Sequence, residues 1–199
     1  IKEYLKCYEN QVLEDWYELI RHISVSETGE GIETCCDWIQ KKMEEIGIQV
    51  TKYSVKPAPV LVGRFGNDPE KKTVLIYAHY DVKPAGERKL WHSDPFVPTV
   101  RDGKVYARGS ADNKSPLMAH LKALEYFIRR KMEVPVNVIF VFEGDEECGS
   151  RGLEEFLAEH RTELAADLVF FSDGPKDPSG LPIIALGAKG DLSVHITVE

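Results

Sequence analysis

Basic charge is what this sequence most conspicuously lacks. Its 25 Lys and Arg stand against 33 Asp and Glu, a formal net charge of -8. Binding a phosphate backbone takes clustered cations, so this balance argues against nucleic acid as a partner. Long apolar runs are missing as well. The first twenty residues, IKEYLKCYENQVLEDWYELI, carry charges throughout, which fits neither a signal peptide nor a membrane span. Cysteine is scarce, with only Cys7, Cys35, Cys36 and Cys148. They form no CxxC pair and no disulfide-framework spacing, and adjacent Cys35 and Cys36 point to different faces of a predicted helix. Reduced thiols in a cytoplasmic protein are the expectation. No internal repeat or low-complexity tract is evident. The remainder is ordinary for a soluble globular chain: 199 residues, 43% apolar and 29% charged. That is enough for one sizeable core, or for one domain and a piece of a second.

Periodicity then divides the chain. Apolar residues at helical spacing (Leu5, Val12, Leu13, Trp16, Leu19, Ile20, Ile23) predict a long helix over 2–23. A second helix is expected over 33–46, with Trp38, Ile39, Met43 and Ile46 as its stripe and Gly47 as its C-terminal cap. Residues 48–55 and 60–65 alternate as strands, with a Pro57–Pro59 turn between them. Three short unbroken apolar runs follow, at 74–78, 136–142 and 168–171. Runs of that kind suit strands buried on both faces. Helical patterns at 115–130 and 152–164 separate them, so strand and helix alternate. An α/β fold with a mostly parallel central sheet is the prediction.

Each apolar run ends in residues able to hold a metal: His79-Tyr80-Asp81, then Glu143-Gly144-Asp145-Glu146-Glu147, then Ser172-Asp173. Ligands of α/β sheets collect beyond the carboxyl ends of the strands, so the three clusters should converge. A fourth acid, Asp112, precedes the 115–130 helix in Arg108-Gly109-Ser110-Ala111-Asp112-Asn113-Lys114. Imidazole nitrogen and carboxylate oxygen together suit Zn²⁺, with Mn²⁺ or Co²⁺ as substitutes. Two cations about 3.5–4 Å apart need a bridging carboxylate and clamp a shared water. Asp81, two residues beyond His79 on an extended segment, can accept the second ring N–H and fix the imidazole. Of two adjacent glutamates, one can bind metal while the other takes a proton from that water. Taken singly, each feature is commonplace: His-x-Asp recurs by chance, paired glutamates usually face solvent, and Asp after a strand often caps a helix. Their order along the chain, each at a strand end or helix entry, makes the joint pattern specific.

These blocks, with Trp91, Asp94-Pro95-Phe96 and Arg101-Asp102-Gly103-Lys104-Val105-Tyr106, resemble the two-zinc peptidases. That family includes carnosinases and related cytosolic dipeptidases, carboxypeptidase G, aminoacylases and succinyl-diaminopimelate desuccinylase. The resemblance covers nearly the whole chain and is densest over 74–173; the block around Trp91–Phe96 is most similar to the dipeptidase and carboxypeptidase branch. It implies a three-layer α/β sandwich and hydrolysis of the amide bond in dipeptides or short peptides. By the same resemblance, His79 and Asp173 hold one metal, Asp112 bridges two, and Glu147 holds the other. Glu146 is then the general base and Asp81 orients His79, and the Asp112–Asn113 bond is cis. Two alternatives stay open: an N-acyl amino acid deacylase, and an inactive fragment that serves only as a metal-binding or interaction module.

The resemblance also implies a further His late in the chain to complete the second metal site. The only His beyond His160 is His195, in the alternating run Leu192–Val198, which is expected to be a strand. Gly187-Ala188-Lys189-Gly190 resembles the entry to the family's lid domain. The expected division is therefore catalytic domain over 1–186 and the first strand of a lid over 187–199, with the full-length form pairing as a homodimer through that lid. His22, His92, His120 and His160 lack carboxylates at ligand spacing and are expected to be surface residues. Cys148, beside Glu147, is expected to matter mainly through its sensitivity to oxidation.

Overall fold

The computed structural model describes residues 2–174 and, beyond them, 179–181, 183–184, 187, 190 and 194–198. Helix α1 (Lys2–Arg21) leads into α2 (Ile32–Ile46), which ends at Gly47 with φ 96, its N–H reaching Glu44 O at 2.9 Å. A left-handed residue is what this cap requires, and glycine adopts it without a Cβ penalty. Strands β1 (Gln49–Tyr53), β2 (Val60–Phe65) and β3 (Thr73–His79) follow, the first two joined across a cis Lys56–Pro57 bond. After a short hairpin of β4 (Thr99–Arg101) and β5 (Lys104–Tyr106) come α3 (Lys114–Arg129), β6 (Asn137–Glu143), α4 (Leu153–Glu159) and β7 (Leu168–Phe171).

The main sheet has the order β1-β2-β6-β3-β7. Strand β3 runs parallel to β6 and to β7, whereas β1, β2 and β6 pair antiparallel in turn. The sheet is thus mixed, with its parallel part at β6-β3-β7. Strand β6 shows why three layers form. Val138, Phe140 and Phe142 join Leu19 of α1, Cys35, Ile39 and Met43 of α2, and Leu117 and Leu121 of α3 in one core. Ile139 and Val141, pointing the other way, meet Phe156 of α4 and Leu164 in a second. Alternating side chains buried on both faces demand a layer on each side.

Several expectations change. The run at 168–171 does form a strand, but all four residues are exposed, from 46% at Phe170 to 63% at Phe171. Among the described residues β7 pairs only with β3 at the sheet edge, and neither core cluster takes in its side chains, so neither face of the strand is buried. The helix expected over 152–164 ends at Glu159, where His160 leaves helical geometry; the chain continues in turns to the buried Leu164. The strand expected over 192–198 is not formed in its described part, 194–198, which is exposed and pairs with no described residue. A strand exists only through a neighbour. Residues 191–193, like 186 at the expected domain boundary, lie outside the described residues. The β4–β5 hairpin was not expected from periodicity; its signal was the Asp102-Gly103 pair, a strong two-residue turn former.

Candidate metal centre

The parallel strands deliver their ends to one rim. His79 closes β3 and is paired in register with Glu143, which closes β6; Ser172 and Asp173 follow β7. His79 Nε2 lies 3.0 Å from Asp112 Oδ1, 3.3 Å from Asp173 Oδ2 and 3.7 Å from Glu146 Oε2. One ligand atom each from His79, Asp112 and Asp173 falls within 4.8 Å of the others. The imidazole is fully buried, while the two aspartates face solvent to differing degrees.

The other face of the ring is equally determined. His79 Nδ1 sits 3.1 Å from the Asp81 carbonyl oxygen and 3.3 Å from Asp81 Oδ1, two acceptors that require a proton on Nδ1. In a neutral ring, Nε2 then presents a lone pair toward the acidic oxygens of Asp112, Asp173 and Glu146. Three carboxylates around one such nitrogen are mutually repulsive unless a positive charge lies among them. Without a metal, the imidazole itself would have to supply that charge. Burial pulls His79 down, but the Asp81 hydrogen bond, Asp81's charge, and those of Glu146 and Asp112 outweigh it and push the ring up to about 9. A divalent cation meets the same need with better geometry, and the donor set, one imidazole and two carboxylates, suits Zn²⁺ or a near neighbour. The residues therefore fit a metal.

Asp81 has a second role that its sequence position did not reveal. Fully buried, it accepts the backbone N–H of Glu146 at 3.2 Å and of Glu147 at 3.1 Å. One carboxylate thus fixes both the His79 ring and the Glu146–Cys148 turn. Asp145 anchors that turn from behind, accepting from Arg151 Nε at 2.9 Å, a second Arg151 guanidinium nitrogen at 2.7 Å, and the Arg151 N–H at 3.0 Å. Burial would raise the Asp145 carboxyl, but these bonds and the Arg151 charge lower it. Gly144 lets the β6 end pass close to Tyr80: a Cβ there would fall 2.5 Å from the Tyr80 ring. Burial raises Glu146, and the charges of Asp173, Glu147 and Asp81 add to the effect against the pull of His79. A carboxylate raised above its ordinary value is a stronger proton acceptor than a free one.

Of the six side chains expected here, His79, Asp81, Asp112, Glu146 and Asp173 come together. Glu147 does not join the converging trio; its carboxylate pairs with Lys83 Nζ at 3.3 Å, and Lys83 also donates to the Glu147 carbonyl oxygen. The Asp112–Asn113 bond is cis, as the resemblance implied. Two of the histidines expected on the surface have specific partners. His160 Nδ1 lies 2.8 Å from Glu163 Oε2, and half-buried His120 lies 2.7 Å from Ser172 Oγ, beside Asp173. Burial pulls His120 below the ordinary histidine range. Its seven-residue spacing from Asn113, two helical turns, was the one sequence signal that could have placed it near the site.

The described residues include no helix long and apolar enough to cross a membrane. Cys-Gly metallodipeptidase dug1 of Schizosaccharomyces pombe is 41% identical over 164 residues, covering 79% of this chain and 34% of that protein. A solved M20 family metallo-carboxypeptidase of Sulfolobus solfataricus superimposes with TM-score 0.81 and 36% identity, over 85% of this chain and 38% of its own. Human carnosine dipeptidase 1 does so with TM-score 0.82 and 30% identity, over 86% and 40%. The chain spans between about a third and about half of the length of the curated relatives it matches. The model of peptidase family M20/M25/M40 matches residues 75–197. By that match, and with the His79–Asp112–Asp173 cluster gathered at two strand ends and the entry to α3, the chain belongs to peptidase family M20/M25/M40.

Proposed function

We propose that this protein takes part in metal-dependent hydrolysis of the amide bond in dipeptides or other short peptides. The observation that carries this reading is the position of His79 Nε2, 3.0 Å from Asp112 and 3.3 Å from Asp173, with Glu146 at 3.7 Å. His79 and Asp173 would hold one zinc ion, Asp112 would bridge to a second, and Glu147 would serve the second on exchanging its Lys83 partner for metal. Bound zinc supplies Lewis acidity, which polarises the scissile carbonyl and makes water acidic enough to lose a proton near pH 7. Glu146 takes that proton from the attacking water and returns it to the departing amine nitrogen. Asp81 keeps His79 in the tautomer that offers Nε2 and holds the backbone of Glu146 and Glu147 in place. The relatives' names make Cys-Gly and β-Ala-His the dipeptides to assay first. Its thiols are free at Cys7, Cys35, Cys36 and Cys148, which supports a reducing, cytoplasmic setting.

The test is Glu146→Gln in a form of the protein that turns over dipeptide. Turnover should fall by about 10²–10⁴-fold, the usual contribution of a general base, while bound zinc stays at the parent level. Retained turnover would refute the role of Glu146. A parent chain that takes up no divalent metal would refute the centre itself.

A further inference from the structure

Strand β7 offers little packing to fix the residues that follow it, since Leu168, Val169, Phe170 and Phe171 are all exposed. Asp173 nevertheless arrives 3.3 Å from His79 Nε2. The described contacts that grip the residue before it come from α3. Asn113 Nδ2 donates to the Ser172 carbonyl oxygen at 3.2 Å, and His120 Nε2 lies 2.7 Å from Ser172 Oγ. Asn113 is buried at the N-cap of α3, directly after Asp112; His120 lies two turns along the same face and packs edge-on against Phe170 at 5.4 Å.

We infer that His120 and Asn113 are positioning residues for Asp173, so that α3 sets the spacing between Asp112 and Asp173. This rests on the metal-centre reading above. The helix that carries one carboxylate into the cluster reaches across to hold the segment bearing the other. A ligand on an exposed edge strand would otherwise lose orientation with every fluctuation of that strand. Side chains that orient a metal ligand from behind typically govern affinity by about 10- to 100-fold. Here the lever acts through main chain and hydroxyl, one residue from the ligand.

The test is Co²⁺ binding to the full chain, by competition with a chromophoric chelator and by the visible absorption of the bound ion. His120→Phe keeps a ring against Phe170 and loses the contact with Ser172; Ser172→Ala removes the same contact from the other side with a minimal change of shape. Each should weaken Co²⁺ binding by about tenfold and alter the absorption bands. The double variant should be no weaker than either alone, because both remove one interaction. With metal chelated, both single variants should unfold within about 4 °C of the parent, a shift in the range expected for one lost hydrogen bond. Unchanged affinity and spectrum in both single variants would overturn the inference, as would losses that simply multiply in the double variant. Asp173→Asn separates the two levels. If it binds Co²⁺ as the parent does, the metal-centre reading fails and takes this inference with it. If it loses Co²⁺ while His120→Phe does not, only the positioning role fails.

Discussion

Asp81→Asn separates the two tasks that one buried carboxylate performs. Asp81 is fully buried and accepts N–H groups from Glu146 at 3.2 Å and Glu147 at 3.1 Å while flanking His79 Nδ1 at 3.3 Å. The substitution preserves shape and keeps one oxygen, but places an amide nitrogen where the second acceptor stood. One backbone N–H then faces a donor, and the remaining bond loses its charge assistance. A hydrogen bond to a buried charged group contributes about 1.5–3 kcal/mol. A net loss of about 2–3 kcal/mol is expected, which for a chain of this size is about 4–12 °C in Tm. The same change weakens the partner of the metal-facing imidazole, so zinc affinity should fall by about 10- to 100-fold. Thermal unfolding in chelator reads the first effect; zinc competition reads the second. An unchanged Tm would refute the claim that this carboxylate holds the Glu146–Cys148 turn. A lowered Tm with zinc affinity intact would show that Asp81 stabilises the turn without orienting His79.

Three further outcomes follow from packing and ion pairs around the chain. Buried Lys122 pairs with Asp15 and, at 2.6 Å, with Glu125, so Lys122→Met should destabilise the chain by about 3 kcal/mol, the lower end for a broken buried ion pair. It leaves Asp15 to Lys42 at 3.3 Å and Glu125 to Arg129 Nε at 2.6 Å, and urea midpoints would show a negligible change if these partners suffice. Gly144→Ala should cost about 1–3 kcal/mol, because its Cβ meets the buried Tyr80 ring at 2.5 Å; a Tm equal to the parent's would mean that the ring can move aside. The pH prediction concerns Asp15. Burial would raise its carboxyl, but Lys122, by hydrogen bond and charge, and then Lys42 lower it. A depressed carboxyl contributes stability above the ordinary Asp value of about 3.9 and loses it as pH falls through the folded value. Asp15→Asn should therefore lose less stability than the parent as pH falls from about 5 through and below the ordinary Asp value of about 3.9. Parallel urea curves across that range would contradict the assignment.

Local pattern carried much of this protein. The 3.6-residue stripes of α1, α2 and α3, the cap at Gly47 and the apolar runs of β3 and β6 follow from neighbours in sequence, whose spacing dictates which face is buried. The same logic reached His79, Asp81, Asp112, Glu146 and Asp173, because each stands at the end of such an element, and strand ends of an α/β sheet share one rim. Sequence spacing alone does not report which residues lie across that rim. Asp81 is 65 residues from Glu146, Asn113 is 59 from Ser172 and His120 is 52 from Ser172, so these bonds exist only once the sheet has brought the segments together. Burial is likewise a property of neighbours in space. Leu168-Val169-Phe170-Phe171 is as apolar as the β6 run, yet β6 has a strand on either side while β7 pairs, among the described residues, with β3 alone. Composition and periodicity determined the elements and the chemistry at their ends; tertiary packing decided which side chains hold that chemistry in place.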